Sequence, residues 1–196
     1  MSNSNFIRGT TFVALAVSLF LGFSVLSNAQ GGNRPILITD DCEPVSFNIA
    51  FPGACSGNGK TTFDKFIAQI TQHHSAFLWM FAPRQSTVPV GKKLSLGNTG
   101  GETHTFTKVA EFGGGFIVPL NVLSGNPVPA PECTTGAVVV PGTMLEPQPE
   151  SPANIFVEAG EQEDGPTAGS PILPSGQTVK FQCCIHPWMR TELRVN

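Results

Sequence analysis

The stretch that decides the fold lies near the C-terminus, at residues 179–189, and reads VKFQCCIHPWM. Val179, Phe181 and Cys183 occupy every second position before the chain turns. This period of two predicts a β-strand whose inner face ends on a cysteine. The alternation resumes at residues 193–195, which predicts a closing strand behind the loop. The segment therefore predicts two strands joined by a tight loop at one end of a β-structure.

The predicted loop carries three side chains that bind soft metals, in the spacing Cys-x2-His-x2-Met. Cys183, His186 and Met189 are close enough along the chain to face one centre. His104 begins a separate predicted strand after a glycine-rich turn. Two His, one Cys and a weak axial Met are the ligand set of a mononuclear copper site for electron transfer, and Pro187 stiffens the loop. We therefore expect one type 1 copper ion at these four residues.

Other functions agree less well with the histidine content. The chain has four histidines, and His73 and His74 are adjacent, so a trinuclear copper cluster cannot be built from them. We expect this pair to lie at a helix C-terminus. A covalent haem would need Cys-x-x-Cys-His, whereas the chain offers Cys-Cys-x-His. Structural zinc at the same ligands stays possible, although a methionine ligand disfavours it. We therefore expect a binding or electron-transfer protein and no enzyme.

The N-terminus has the layout of a secretory signal peptide over residues 1–29. Arg8 is followed by an apolar run at residues 12–26 and by the small-residue stretch Ser-Asn-Ala. A membrane-spanning helix needs about 20 apolar residues, and this run is shorter and interrupted. We therefore expect a periplasmic or secreted protein that has no membrane span after signal removal. Without Arg8, ten basic residues stand against fourteen acidic ones, which argues against nucleic acid as a partner.

The rest of the chain predicts an all-β domain with additions. Short alternating segments are separated by turns rich in Gly and Pro, which is typical of a β-sandwich. Residues 62–73 are the exception, because Phe63, Phe66, Ile67 and Ile70 fall on one helical face. We expect an N-terminal extension at 30–75 that carries this helix. The copper-binding domain would follow at 76–196, and it contains a long central loop region.

The ligand segments resemble those of a known family. Residues 181–190 resemble the C-terminal ligand loop of the plastocyanin/azurin family of cupredoxins, most closely its short amicyanin-like form. Residues 96–106 resemble the family's first-histidine segment, although Thr105 stands where the family often has Asn. The resemblance covers roughly residues 77–109 and 177–195. It implies a Greek-key β-sandwich of about eight strands with a type 1 blue copper ion at one end.

The resemblance also implies a role in one-electron transfer between a redox protein donor and acceptor. Trp188 stands next to His186, and we hypothesise that this apolar end of the domain is where redox partners dock. A structural role for Trp188 as a cap on the sandwich is the competing interpretation. A copper carrier, or a structural cupredoxin without a redox role, is the alternative function.

Five cysteines leave at least one thiol outside a disulfide. Strand parity and loop spacing favour Cys183 as the metal ligand, so that Cys184 points away from the metal. We then favour disulfides Cys184–Cys133 and Cys42–Cys55. Three pairings of four cysteines exist, and the sequence leaves the other two open.

Overall fold

The structure is a computed structural model that describes residues 34–196. The predicted signal peptide lies outside the described residues. Within them, no helix has the length and apolar character needed to cross a membrane.

The described part of the chain contains eleven strands and three short helices. The strands are β1 (Arg34–Thr39), β2 (Met80–Ala82), β3 (Gln85–Val88), β4 (Lys93–Asn98), β5 (His104–Val109), β6 (Thr134–Val140), β7 (Met144–Pro147), β8 (Asn154–Val157), β9 (Gln162–Thr167), β10 (Thr178–Gln182) and β11 (Arg190–Val195). The helices are α1 (Pro44–Ala50), α2 (Phe63–His73) and α3 (Val118–Leu123). The predicted all-β class is confirmed, with more strands than the resemblance implied.

Nine of the strands form two sheets. The first has the order β2-β1-β4-β9 and the second the order β3-β11-β10-β5-β8, while β6 and β7 form a separate hairpin. Strands β5, β10 and β11 are antiparallel neighbours, so the start of β5 and the end of β10 lie at the same end of the second sheet. This topology brings His104 and the loop after β10 together.

Alternating apolar residues from the two sheets share one core. In β4 the buried positions are Leu94, Leu96 and Asn98, every second residue, as a half-buried strand requires. Phe106 of β5 stacks on Phe181 of β10 at a centroid distance of 4.3 Å and also meets Phe81 of the other sheet at 5.5 Å. The core therefore makes the two sheets a sandwich.

The boundary expected at residue 75 does not separate an N-terminal extension from the sandwich in this structure. We expected residues 30–75 to lie in front of the sandwich, but β1 is an inner strand of the first sheet, paired with β2 and β4. This segment also contains a second helix, α1, in which Glu43 caps the N-terminus by accepting hydrogen bonds from the backbone N–H groups of Val45 and Ser46. The sequence does not predict α1, because a helix of seven residues is too short to show a clear apolar period.

The helix expected at 62–73 forms α2 and packs on the end of the sandwich that carries the ligand loop. Phe66 and Ile70 are its buried residues. Phe66 contacts Phe47 of α1, with ring centroids 5.3 Å apart, and Trp79, at 4.8 Å. His74, at the C-terminal end of α2, has a left-handed backbone conformation and its Nδ1 contacts the carbonyl of Leu123. The two helices therefore form an aromatic cap beside the predicted site.

Two disulfides are present, Cys42–Cys55 and Cys133–Cys184, and Cys183 is the buried free cysteine. The first joins the ends of the segment that contains α1. The second ties the central region to the ligand loop. The backbone of Gly115 also contacts this loop, where any side chain would overlap the carbonyl oxygen of Cys184.

The two disulfides should stabilise the protein unequally. Cys133 and Cys184 are separated by 51 positions and Cys42 and Cys55 by 13, and cross-links that close longer loops remove more entropy from the unfolded chain. Replacing both members by Ser should lower the free energy of unfolding by about 4 kcal/mol for the long loop and about 3 kcal/mol for the short one. Urea unfolding of the metal-free protein measures both. A larger loss at Cys42 and Cys55 would contradict this ranking.

Candidate metal centre

His104 is the first residue of β5 and lies inside the end of the sandwich, with none of its side chain exposed. The other three candidate ligands, Cys183, His186 and Met189, follow β10. The loop that holds them is closed by backbone hydrogen bonds from Cys183 N–H to the Met189 carbonyl, at 3.0 Å, and from Met189 N–H to the His186 carbonyl, at 2.9 Å. Strand and loop thus present their side chains to the same interior point.

Three donor atoms meet at this point. His104 Nδ1 lies 3.7 Å from Cys183 Sγ, His186 Nδ1 lies 3.9 Å from the same sulfur, and the two Nδ1 atoms are 3.3 Å apart. Ligand atoms about 2.0–2.3 Å from one metal ion are about 3.3–3.9 Å from one another. The spacing therefore fits one metal ion in the middle of the three.

Met189 is the fourth candidate ligand. Its side chain is in the buried core, with 1 % of the residue exposed, and its backbone closes the loop between Cys183 and His186. Cys184, in contrast, is in the disulfide to Cys133. The loop therefore keeps the free thiol, the imidazole and the thioether on its buried side.

The carboxylate of Asp40 orients the imidazole ring of His104. Asp40 follows β1, and its Oδ2 accepts a hydrogen bond from His104 Nε2 at 3.0 Å, with 1 % of the Asp40 side chain exposed. Asp40 also accepts hydrogen bonds from the backbone N–H groups of Gly101 and Glu102. Because Nε2 donates to Asp40, Nδ1 is the ring nitrogen left free to face Cys183.

The charges of Asp40, His104 and Cys183 reinforce one another. Burial alone would raise the pKa of Asp40, but the hydrogen bond and charge of His104 and two backbone N–H groups lower it to about 2. Burial alone would lower the pKa of His104, but Asp40 and Cys183 raise it to about 10. Burial would likewise raise the pKa of Cys183, and the two histidines lower it well below its usual value. The site favours a thiolate, the form in which cysteine binds metals.

Thr105 ties the two ligand segments together. Its Oγ1 accepts a hydrogen bond from the backbone N–H of Cys184 at 2.7 Å, and its own backbone N–H points at Cys183 Sγ at 3.4 Å. Thr105 thus links the ligand strand to the ligand loop at the position where the resembled family often has Asn. The hydroxyl also contacts Thr107, whose hydroxyl donates to Asn154.

His186 is covered by neighbouring side chains, because only 2 % of it is exposed. The ring of Phe66 lies 6.0 Å from its ring, and that of Trp188 lies 5.4 Å away. Trp188 is half-buried and its indole Nε1 is enclosed. His186 Nε2 lies 3.7 Å from Oε2 of Glu102, which also accepts a hydrogen bond from Trp79. Docking of partners at Trp188 stays a prediction.

Local sequence patterns do not identify Asp40, Glu102 and Trp79 as parts of this site. The burial of Glu102 raises its pKa, although the charges of both histidines act against that. Glu102 stands two positions before His104, but nothing in the local pattern distinguishes it from a turn residue. Asp40 is 64 positions from the histidine it contacts, so only the pairing of β1 with β4 brings it there.

The sandwich and its buried His, Cys and His group define a cupredoxin-like protein, which confirms the resemblance predicted from the ligand loop. No protein-family model matches the chain, and no curated protein matches it.

Solved structures similar to this chain include cupredoxins of several kinds. A purple cupredoxin from Nitrosopumilus maritimus is 13% identical, with a TM-score of 0.37, over 84% of this chain and 100% of that one. Auracyanin A from Chloroflexus aurantiacus is 19% identical, with a TM-score of 0.34, over 60% and 89%. Plastocyanin from Dryopteris crassirhizoma is 14% identical, with a TM-score of 0.33, over 60% and 89%.

The hydrogen bond from His104 to Asp40 should strengthen metal binding. Asp40→Asn removes the negative charge behind the imidazole, and the loss of such a partner typically weakens metal affinity about 10- to 100-fold. Competition with a chelator of known copper affinity measures this change.

The matched control is Asp41→Asn, because Asp41 binds the backbone N–H of Lys60 and the hydroxyl of Thr61 and does not contact His104. Its copper affinity should stay within about threefold of the unaltered protein, well below the 10-fold loss expected at Asp40. Equal losses in both variants would contradict a specific role for Asp40.

Proposed function

We propose that this protein is an exported type 1 copper protein that transfers single electrons between redox partners. The observation that carries the proposal is the buried group of His104 Nδ1, Cys183 Sγ and His186 Nδ1, with 3.3–3.9 Å between its atoms. Met189 on the same loop would be the fourth ligand, a weakly binding thioether.

The donor types favour copper over zinc. A thiolate and a thioether are soft ligands that select Cu(I), and imidazole also binds Cu(II). Structural zinc sites are usually closed by four Cys, His or carboxylate ligands, so a methionine in the fourth position argues against zinc. The lowered pKa of Cys183 keeps the sulfur ready to bind without a large cost in deprotonation.

The protein's part in electron transfer is to hold its ligands still. A bound copper ion supplies the redox change between Cu(II) and Cu(I). Asp40 fixes the ring of His104, Thr105 fixes the backbone at Cys184, and the backbone bonds of Met189 close the loop. A site restrained on every side favours the same geometry in both oxidation states, which keeps reorganisation small.

Burial also favours electron transfer over a carrier role. A carrier must release its ion to another protein, which requires ligands that a partner can reach. His104 and Cys183 are fully buried, and His186 is 2 % exposed. Electrons pass through packed side chains, whereas a copper ion would have to displace them.

The expected compartment and partners follow from this role. Disulfides persist in oxidising compartments, so the two disulfides support the export predicted from residues 1–29. We propose redox proteins as donor and acceptor. Trp188, half-buried beside His186, is the candidate contact on the protein surface.

Addition of Cu(II) to the mature protein should produce an intense visible absorption band from charge transfer between the Cys183 thiolate and copper. Cys183→Ser should abolish the band, because a hydroxyl does not supply it. The matched control is the Cys133→Ser, Cys184→Ser double variant, which changes the neighbouring cysteine and leaves no odd thiol. It should keep the band.

Two outcomes would contradict the proposal. The first is the absence of any intense band in the unaltered protein when copper is bound. The second is a band that survives Cys183→Ser, because the sulfur ligand would then lie elsewhere. Voltammetry of the copper-loaded protein distinguishes an electron carrier from a copper carrier. An electron carrier should cycle reversibly between Cu(II) and Cu(I) without losing its ion.

A further inference from the structure

A partly open cavity of about 430 Å³ lies between the two N-terminal helices and the central region. We call it the helix-side cavity. Its aromatic wall consists of Phe47 and Phe51 at α1 and of Phe63 and Phe66 in α2. The volume is in the range of about 300–1,000 Å³ that is typical of small-molecule sites. The cavity is therefore large enough for an organic ligand.

The rest of the lining is also mainly apolar. Leu120 and Leu123 of α3 and Met144 of β7 contribute aliphatic side chains, and Ile185 contributes one from the ligand loop. This composition excludes a strongly hydrated ligand, because most of its surface would lose water without gaining hydrogen bonds.

Ionisable groups reach the helix-side cavity at two residues, Glu102 and His186. Glu102 is 8 % exposed, and its Oε2 accepts the hydrogen bond from Trp79 Nε1 and lies 3.7 Å from His186 Nε2. Among the hydrogen bonds of the described residues, none involves the other oxygen, Oε1. The Glu102 side chain is 11% exposed, so a ligand in the cavity can donate a hydrogen bond to this oxygen, which has no donor among the described residues.

We propose that the helix-side cavity binds a neutral aromatic molecule with one hydroxyl group, a phenol. Its ring lies against the phenylalanines, and its hydroxyl donates a hydrogen bond to Glu102. Aromatic rings prefer edge-to-face and offset contacts of the kind that already join Phe47 with Phe63 and Phe66. The ligand's polar end then lies beside the imidazole of His186.

The apolar lining selects a neutral ligand. An aromatic carboxylate would lose its hydration on entering a mainly hydrocarbon cavity, where it would meet the carboxyl group of Glu102. An aromatic ammonium group would lose its hydration on entering a mainly hydrocarbon cavity, and one carboxylate already shared with Trp79 and His186 is its only acid. A phenol needs one acceptor and brings one donor.

Binding in this cavity does not require a metal, so the proposal stands apart from the proposed electron transfer. The direct test uses metal-free, ¹⁵N-labelled mature protein with a chelator present. The indole N–H of Trp79 donates to Glu102, so its NMR signal reports on that carboxyl group. The chain has two tryptophans, and Trp188→Phe assigns the Trp79 signal.

Phenol should shift the Trp79 signal in a saturable way. Toluene has the same shape without the hydroxyl, and it should bind about 10-fold or more weakly, because it cannot donate a hydrogen bond to the carboxyl group of Glu102. Benzoate and benzylamine should also bind more weakly than phenol. Toluene equal to phenol, or benzylamine tighter than phenol, would overturn the proposal, as would the absence of any saturable shift.

Filling the cavity provides the matched test by mutation. Ala54 lines the helix-side cavity, so Ala54→Phe should weaken phenol binding about 10-fold or more. Ala50, at the exposed end of α1, is the control, and Ala50→Phe should leave the affinity within about twofold. Far-UV circular dichroism checks that both variants fold. Equal phenol affinity in two folded variants would place the ligand outside this cavity.

Discussion

The hydrogen bond between His104 and Asp40 is the interaction on which the site depends. It joins the end of β1 to the start of β5, and both side chains are almost completely buried. The same carboxylate binds the turn before β5 through Gly101 and Glu102, so one side chain sets the position of the turn and the orientation of the imidazole. A buried carboxylate is costly unless it is paired, and here the imidazole and the backbone N–H groups satisfy it. The free Nδ1 then faces the thiolate.

The rest of the structure restrains the other two donors from outside. The Cys133–Cys184 disulfide and the hydroxyl of Thr105 hold the backbone next to Cys183, and Phe66 and Trp188 cover His186. The helices therefore seal the end of the sandwich at which the loop emerges. The consequence is a site whose donor residues are almost completely buried and whose His186 lines an apolar cavity on the helix side.

Local patterns in the sequence predict the parts of this structure that depend on neighbours in the chain. The period of two at Val179 and Phe181 predicts β10, and the helical period at Phe63 predicts α2, because both elements bury one regular face. The sequence of the ligand loop predicts Cys183, His186 and Met189 as donors, because the three lie within seven residues of the chain. Asp40 and the cover over His186 depend on contacts between distant segments, which no local period encodes. For the same reason β1 was expected in an extension, although its pairing with β4 makes it an inner strand.

The contacts around the donors imply that the fold, and not the metal, sets the positions of the ligands. X-ray absorption at the copper edge of the loaded protein, measured in both oxidation states, tests this directly. One sulfur from Cys183 and two nitrogens from His104 and His186 should lie at short distance from copper, with nearly the same distances in both states. A first shell without sulfur, or a change in the number of ligands on reduction, would contradict it.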